Sequence, residues 1–350
     1  MSDVDKTVVT QTEDVSKPRR RGCLGHCARF WWAYLALIVV IVVVVVPVVL
    51  LVGVPKIAQQ KLDDAELILD GIVVTNTQTK SMVMDIDTTI KTDGSVHATI
   101  EGFPGVMYLE DYEPHTPFAN IDFPETTSDA LQVVNVTQNL VINDEEALTR
   151  FNTWLIANES LRVTVEGNTN VHVKGISRSY GVTFKKTITM PGLKMLDGTV
   201  VNQTRAATNK DARNNNFWGT TYIPNRSLVA FELGNVTFYN YLFDKEIGTV
   251  YIDNLTLRPG EANEFQMRAT IEDLGAVLAA LGQKPYCEGK DKGILPLMIR
   301  GKEVVNNGQS LPYFANALAA HNQTIMVDIG TPIKKATGLD IPCGGLGGGH

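Results

Sequence analysis

Signals of chemistry are scarce in this 350-residue chain, which has four cysteines and six histidines. No His-Glu-x-x-His or Cys-x-x-Cys pair occurs, so the ligand spacing of a zinc site is missing. His97, His115, His172 and His321 are scattered. There is no Gly-x-Ser-x-Gly turn to expose a nucleophile and no phosphate-cradling P-loop, so no catalytic, cofactor-binding or metal-ligating residue is expected. A basic surface is lacking too. The segment before Phe30 has six basic and four acidic residues, and the remainder has 25 basic and 34 acidic. A net charge of -9 there excludes a nucleic-acid binder, which needs clustered Lys and Arg.

What the chain does have is one unbroken apolar run, Phe30–Val54, of 25 residues. At ~1.5 Å rise per residue such a helix crosses a ~30 Å hydrocarbon core. It is longer than the ~7–15-residue core of a cleaved leader, so it reads as a retained anchor. Pro47 is tolerable, because lipid-embedded helices re-satisfy freed carbonyls locally. Lys17, Arg19, Arg20, Arg21 and Arg29 precede the run, and Asp63, Asp64 and Glu66 follow it. The positive-inside rule puts the N-terminus in the cytosol and everything after the run in a lumen or outside the cell. Residues 1–29 read as a disordered basic tail, able to meet anionic membrane lipid or a cytosolic partner, and residues 55–66 as a stalk.

Sequons at Asn135, Asn158, Asn202, Asn225, Asn235, Asn254 and Asn322 fit a secretory compartment. Cys287 and Cys343, the two cysteines beyond the anchor, are expected to bond in an oxidising space. Cys23 and Cys27 lie beside the membrane and suit either S-palmitoylation or free thiols.

Beyond the stalk, apolar residues alternate with period two. Met82, Met84 and Ile86 mark one strand, and Val96, Ala98 and Ile100 another. Lys91-Thr92-Asp93-Gly94 between them reads as a hairpin turn. Leu67–Thr75, Gln132–Ile142 and Leu161–Gly167 are further strands. A helix begins after Asn143 or Asp144, either of which can cap it, with Leu148, Phe151 and Leu155 on one face. Strands at 228–233, 250–257 and 265–271, a helix around Leu274–Leu281 and a strand ending at Gly301 repeat that order. The repeat predicts two related domains, 67–200 and 217–335, separated by the polar stretch Asn202–Asn216. A Gly-rich tail, 336–350, closes the chain. Short strands without βαβ alternation predict a mainly β chain with short helices, built as β-sandwiches.

Asp85-Ile86-Asp87 is a D-x-D, the pair with which a metal-dependent glycosyltransferase holds a divalent ion. Its alternation with apolar neighbours favours a solvated strand face instead.

The segments Val52–Lys61, Leu67–Thr75, Asp93-Gly94 and Ile100–Gly105, with Asn254–Gly260 leading through Phe265 to Leu274, carry a resemblance. It is to fungal uncharacterised single-pass membrane proteins, similar to the type 2 late-embryogenesis-abundant (water-stress and hypersensitive-response) superfamily. The Asn-Pro that often follows that superfamily's first strand is replaced here by Thr75-Asn76-Thr77 and Ile223-Pro224-Asn225. The resemblance implies tandem fibronectin-like sandwiches, a vacuolar-membrane location, kinship with a vacuolar autophagy-termination protein, and a lipid ligand. The expected function is therefore a non-enzymatic, membrane-anchored lumenal glycoprotein that binds an apolar ligand. A structural or signalling protein is the alternative, and a glycosyltransferase comes third.

Overall fold

The computed structural model describes residues 23–344. The apolar run is helical: α1 spans Cys23–Val48, a π-helical turn follows at Val49–Gly53, and α2 spans Val54–Asp64. Pro47 lies inside α1 just before the wide turn. Proline supplies no N–H to the helical ladder, and a π-turn is a common way for a helix to absorb the irregularity. The most apolar window of this helix buries nothing within the protein. The chain divides between Lys56 and Ile57 into two compact units.

The second unit is strand-rich, as the alternation predicts. Its first half holds β1 (Glu66–Thr75), β2 (Ser81–Lys91), β3 (Ala98–Ile100), β4 (Phe103–Leu109), β5 (Ala119–Phe123), β6 (Thr126–Thr127), β7 (Leu131–Val141), α3 (Glu145–Ala157), β8 (Ser160–Val173) and β9 (Ser179–Pro191). Its second half holds β10 (Val200–Ala206), β11 (Phe217–Asn225), β12 (Val229–Leu242), β13 (Lys245–Leu257), β14 (Gly260–Ile271) and α4 (Leu274–Leu281). β15 (Ile294–Asn306), β16 (Gln309–Ser310), α5 (Pro312–Ala319), β17 (Gln323–Asp328) and α6 (Gly330–Thr337) complete it.

Strands β1, β2 and β7 face a second sheet in which β8 lies between β9 on one side and β4 and β3 on the other. Met82, Met84, Ile86 and Leu140 of the first sheet are buried, as are Met107, Val163, Val165 and Met190 of the second. Helix α3 adds Leu148, Phe151 and Leu155 to the same core. Its start is as expected: the Asp144 side chain accepts from the Ala147 N–H, and Glu145 and Glu146 occupy the first turn.

The second half is a closed barrel. Hydrogen bonding runs β12–β13–β14–β11–β10–β17–β15 and returns to β12. Closure removes free edges, which otherwise template unwanted pairing.

The two halves are not tandem sandwiches. Strand β12 serves both: its residues 229–231 pair in parallel with β1, and residues 235–242 pair with β15 of the barrel. Gly234 is the pivot between these stretches, with φ of +74°, and a Cβ there would lie 2.6 Å from the Val305 carbonyl oxygen. Positive φ and close backbone approach together favour glycine. A buried polar knot fastens the same junction. The Asn306 amide donates to Thr77 Oγ1 at 2.8 Å, and the Thr77 hydroxyl donates to the Glu232 carbonyl at 2.8 Å. The buried Tyr313 hydroxyl donates to the Gln78 carbonyl at 2.9 Å. In place of the expected fibronectin-like pair, an 11-stranded sheet runs through both halves and the core is contiguous.

Four further expectations are corrected. Asp93-Gly94 does not close a hairpin: β1 and β7 already flank β2, so the chain crosses to the other sheet, where β3 pairs with β8 and β6. Asn202–Asn216 is not a linker, because β10 pairs with β11 and β17 inside the barrel wall. Residues 57–64 of the stalk are fastened to the body. Gln59 donates to the Thr183 carbonyl at 2.8 Å and accepts from the Thr183 N–H at 2.9 Å. Lys61 pairs with Asp93, and Leu62 is buried. Finally, the described part of the Gly-rich tail is docked: Ile341 is buried, and the Gly344 N–H reaches the Gly282 carbonyl at 2.9 Å.

Candidate functional site

The barrel interior follows from strand alternation. On β12, Val236, Phe238, Asn240 and Leu242 are buried, while the residues between them are more exposed. Val250 and Ile252 of β13, Met267 and Ala269 of β14, and Ile325 and Val327 of β17 meet them. With Phe238 and Asn240 they line an apolar cavity of ≈ 70 Å³ that no ionisable side chain reaches. Its polar lining residues are Thr199, Thr221, Asn240 and Gln323. Asn240 is 3 % exposed, and its Oδ1 has no hydrogen-bond partner. Leaving such an acceptor unpaired costs about 1–3 kcal/mol, so it calls for an explanation.

A second apolar cavity of ≈ 60 Å³ lies between the sandwich sheets. Asn152 of α3 lines it, buried, with its Nδ2 unpartnered. Each half of the body therefore has an apolar cavity with one unpaired amide atom on its wall.

The barrel wall is not uniform. Every ladder has five or more registered pairs except β10–β17, which has one, Val201 with Val327. Both residues line the cavity. This seam is the least costly place for the wall to part, because the fewest hydrogen bonds break there.

The sequence-predicted positions distribute unevenly. Asn135, Asn202, Asn235, Asn254 and Asn322 are exposed, and Asn158 is half-buried. Asn225 is 1 % exposed: its amide donates to the Val229 carbonyl at 2.8 Å and accepts from the Ser227 N–H at 2.9 Å. As folded, it cannot carry a glycan, which corrects that sequon. Cys287 and Cys343 are joined by a disulfide, with Cα atoms 5.1 Å apart. The side chains of Cys23 and Cys27 and the basic tail 1–22 lie outside the described residues. Asp85 and Asp87 lie on the face of β2 turned from the core, alternating with buried Met84, Ile86 and Thr88. The four histidines stay apart. His172 contacts Glu101, and His115 stacks on Tyr108 with ring centroids 4.8 Å apart.

Ionised groups sit on the outer faces. A hydrogen bond from the Lys245 ammonium at 2.5 Å, then one from the Ala276 N–H, hold the Asp273 carboxyl below the usual carboxylate range. Hydrogen bonds from Tyr108 and then Lys185 do the same for Glu166. Burial pushes the Tyr313 hydroxyl well above its ordinary value.

Sequence reasoning missed Asn240 and Asn152. The signal was present for Asn240, a polar residue in the apolar register Val236, Phe238, Asn240, Leu242.

A family model described as a protein of unknown function, DUF3712, matches residues 116–240. The match runs through the stretch expected as a domain boundary and ends in β12. No curated protein matches the chain. Among solved structures, the chain is similar to the YadV chaperone at 8% identity, covering 71% of this chain and 96% of that one, with a TM-score of 0.19. A bacterial adhesin from Mobiluncus mulieris with disulfide, isopeptide and ester cross-links matches at 11% identity over 75% of this chain and 98% of that one, with a TM-score of 0.19. The CupB6 tip adhesin from Pseudomonas aeruginosa matches at 8% identity, over 75% and 98%, with a TM-score of 0.18. Likenesses this slight carry no argument.

Proposed function

We propose that this chain is a non-enzymatic, single-pass membrane protein whose β-body binds an apolar ligand, such as a lipid chain, inside the barrel. One observation carries the reading: an apolar cavity whose wall holds the unpaired, buried Oδ1 of Asn240. An apolar ligand with one hydrogen-bond donor fits both features. The ≈ 70 Å³ now present is about half the ~150 Å³ that admits benzene in an engineered cavity. A longer ligand therefore needs the wall to yield, and the β10–β17 seam is where we place its entry.

The flanking charges put the N-terminus in the cytosol and the body in a lumen. Five exposed sequons support a glycoprotein. The late-embryogenesis-abundant kinship and a vacuolar membrane remain proposals resting on the resemblance. The alternative, a structural or signalling protein, draws support from the bonds between α2 and β9, which tie residues 57–64 to the body.

A diazirine-bearing long-chain fatty alcohol, whose hydroxyl is the one donor, photoactivated on the full chain in its membrane, tests the reading. Labelled peptides should include β12 and β14, and Phe238→Trp, which fills the cavity, should abolish that label. Label confined to the anchor helix would contradict it.

A further inference from the structure

Closure of the barrel and docking of α2 leave one long strand edge uncovered. On β9, the Gln59 amide occupies the edge by bonding both the N–H and the C=O of Thr183. Strand β7 has no such cover. Among the described residues it pairs with β2 alone, and it ends the 11-stranded sheet. Edges of this kind are ordinarily blunted by Lys, Pro, a bulge or brevity. Strand β7 has none of these. Its sequence, LQVVNVTQNLV, carries no charge and no proline over 11 residues, and its register with β2 never shifts.

The phase of that ladder is fixed at its ends. The Thr92 N–H donates to the Ala130 carbonyl at 3.1 Å, and the Ile142 N–H donates to the Lys80 carbonyl at 2.9 Å. Antiparallel bonding alternates, so the even-numbered residues of β7 bond β2. The N–H and C=O groups of residues 131, 133, 135, 137, 139 and 141 therefore point to the open edge. The even-numbered side chains turn toward the second sheet. There the Gln138 amide donates to the Asn120 carbonyl at 3.1 Å and accepts from the Asp122 N–H at 3.0 Å, which fastens the strand to β5. The odd-numbered side chains face solvent: Leu131, Val133 and Val141 are 64 %, 66 % and 57 % exposed. Asn135, Thr137 and Asn139 stand exposed between them.

This pattern is apolar at both ends and polar at the centre, which a two-fold axis uses twice. A second β7 laid antiparallel about Val136 sets Leu131 opposite Val141, Val133 opposite Asn139, and Asn135 opposite Thr137. All of these are odd-numbered residues, so their open backbone groups meet. Each end then closes an apolar cross-strand pair, and no like charges meet along an uncharged strand.

We propose that β7 pairs with β7 of a second copy of this chain, joining two sheets into one across a two-fold axis at Val136. The Asn135 side chain projects from the sheet face, at right angles to the edge, so a glycan on its sequon leaves the backbone groups free.

Sedimentation velocity of the full chain in detergent, with charges placed at the two ends of β7, tests both the dimer and its register. The parent should sediment as a reversible dimer. Leu131→Asp with Val141→Asp sets carboxylates opposite each other at both ends and should weaken association by about tenfold or more. Leu131→Asp with Val141→Lys sets opposite charges at the same places and should restore it. Both residues are exposed, so the melting temperature of the monomers should stay unchanged and show that the variants fold. A monomeric parent overturns the proposal. So does association that the paired aspartates leave unchanged, or an Asp–Lys variant as weak as the Asp–Asp one. Strand β7 takes no part in the barrel, so failure here leaves the photolabelling result standing on its own.

Discussion

Asn240 is the residue on which the barrel reading turns. Its unpaired oxygen costs the folded chain stability and, under the proposed function, accepts the ligand's donor. Asn240→Leu should therefore raise the stability of the empty chain by about 1–3 kcal/mol, the penalty of an unsatisfied buried acceptor, while weakening retention of a ligand with a donor. Chemical denaturation with and without an added long-chain fatty alcohol reads both effects, and a destabilised variant would show that the amide is already satisfied. Asn225 gives a second test. In protein from a secretory host, peptide mapping should find no glycan at Asn225, whose amide holds the turn before β12. A glycan there would contradict its burial. Titration gives a third. Asp93, Glu101, Asp111 and Asp273 have carboxyls held below their ordinary range, each chiefly by a side-chain hydrogen bond to Lys61, His172, Arg162 and Lys245 respectively. A carboxylate depressed in the folded state stabilises fully above its unfolded value of about 4 and loses that contribution as pH falls toward the folded value. These pairs should leave the melting temperature level from about pH 7 to 5 and lower it below about pH 4. A decline already complete by pH 5 would contradict them.

At the scale of elements, much was legible. The apolar N-terminal helix, the cap before α3, and the strands at Leu67–Thr75, Gln132–Ile142 and 250–257 all lie close to where their patterns put them, because a long apolar run, a capping side chain and a strand with one buried face are each written in local sequence. What the pattern does not encode is partnership. Asp93-Gly94 has the chemistry of a tight turn, and Gly94 does adopt positive φ, yet the strands on either side belong to different sheets. Local turn preference says how a chain bends, and the occupancy of both edges of β2 decided where it went. The docking of residues 57–64 was equally hidden, since it depends on Gln59 and Thr183 meeting across 124 residues. That docking has a cost when broken. Lys186 donates to the Asp63 and Ala65 carbonyls at 2.7 and 2.5 Å, satisfying the C-terminal end of α2. Lys186→Met should destabilise the body by about 1–3 kcal/mol through those orphaned carbonyls, seen as a lower denaturation midpoint. An unchanged midpoint would mean that water serves them equally well.

On the scale of the whole molecule, the apparent repeat concealed a single body. Gly167 and Gly301, expected to end their strands, lie inside β8 and β15 instead, and each gives room to a neighbour: a Cβ would lie 2.7 Å from the Phe103 ring at one and 2.6 Å from Leu318 Cβ at the other. The likeness is one of local packing, since β8 sits in the sandwich and β15 in the barrel. With β12 shared and one contiguous core, the body should unfold in one transition. Reducing Cys287–Cys343, which closes a separation of 56 residues, should shift that whole transition. Hydrogen exchange of the full chain in nanodiscs, with and without a long-chain fatty alcohol, tests the proposed ligand-binding barrel most directly. Amides of β10 and β17 should exchange fastest among the barrel strands and become protected when the alcohol is added. Amides at that seam as slow as those of β12 and β13, and unmoved by the alcohol, would contradict the proposal.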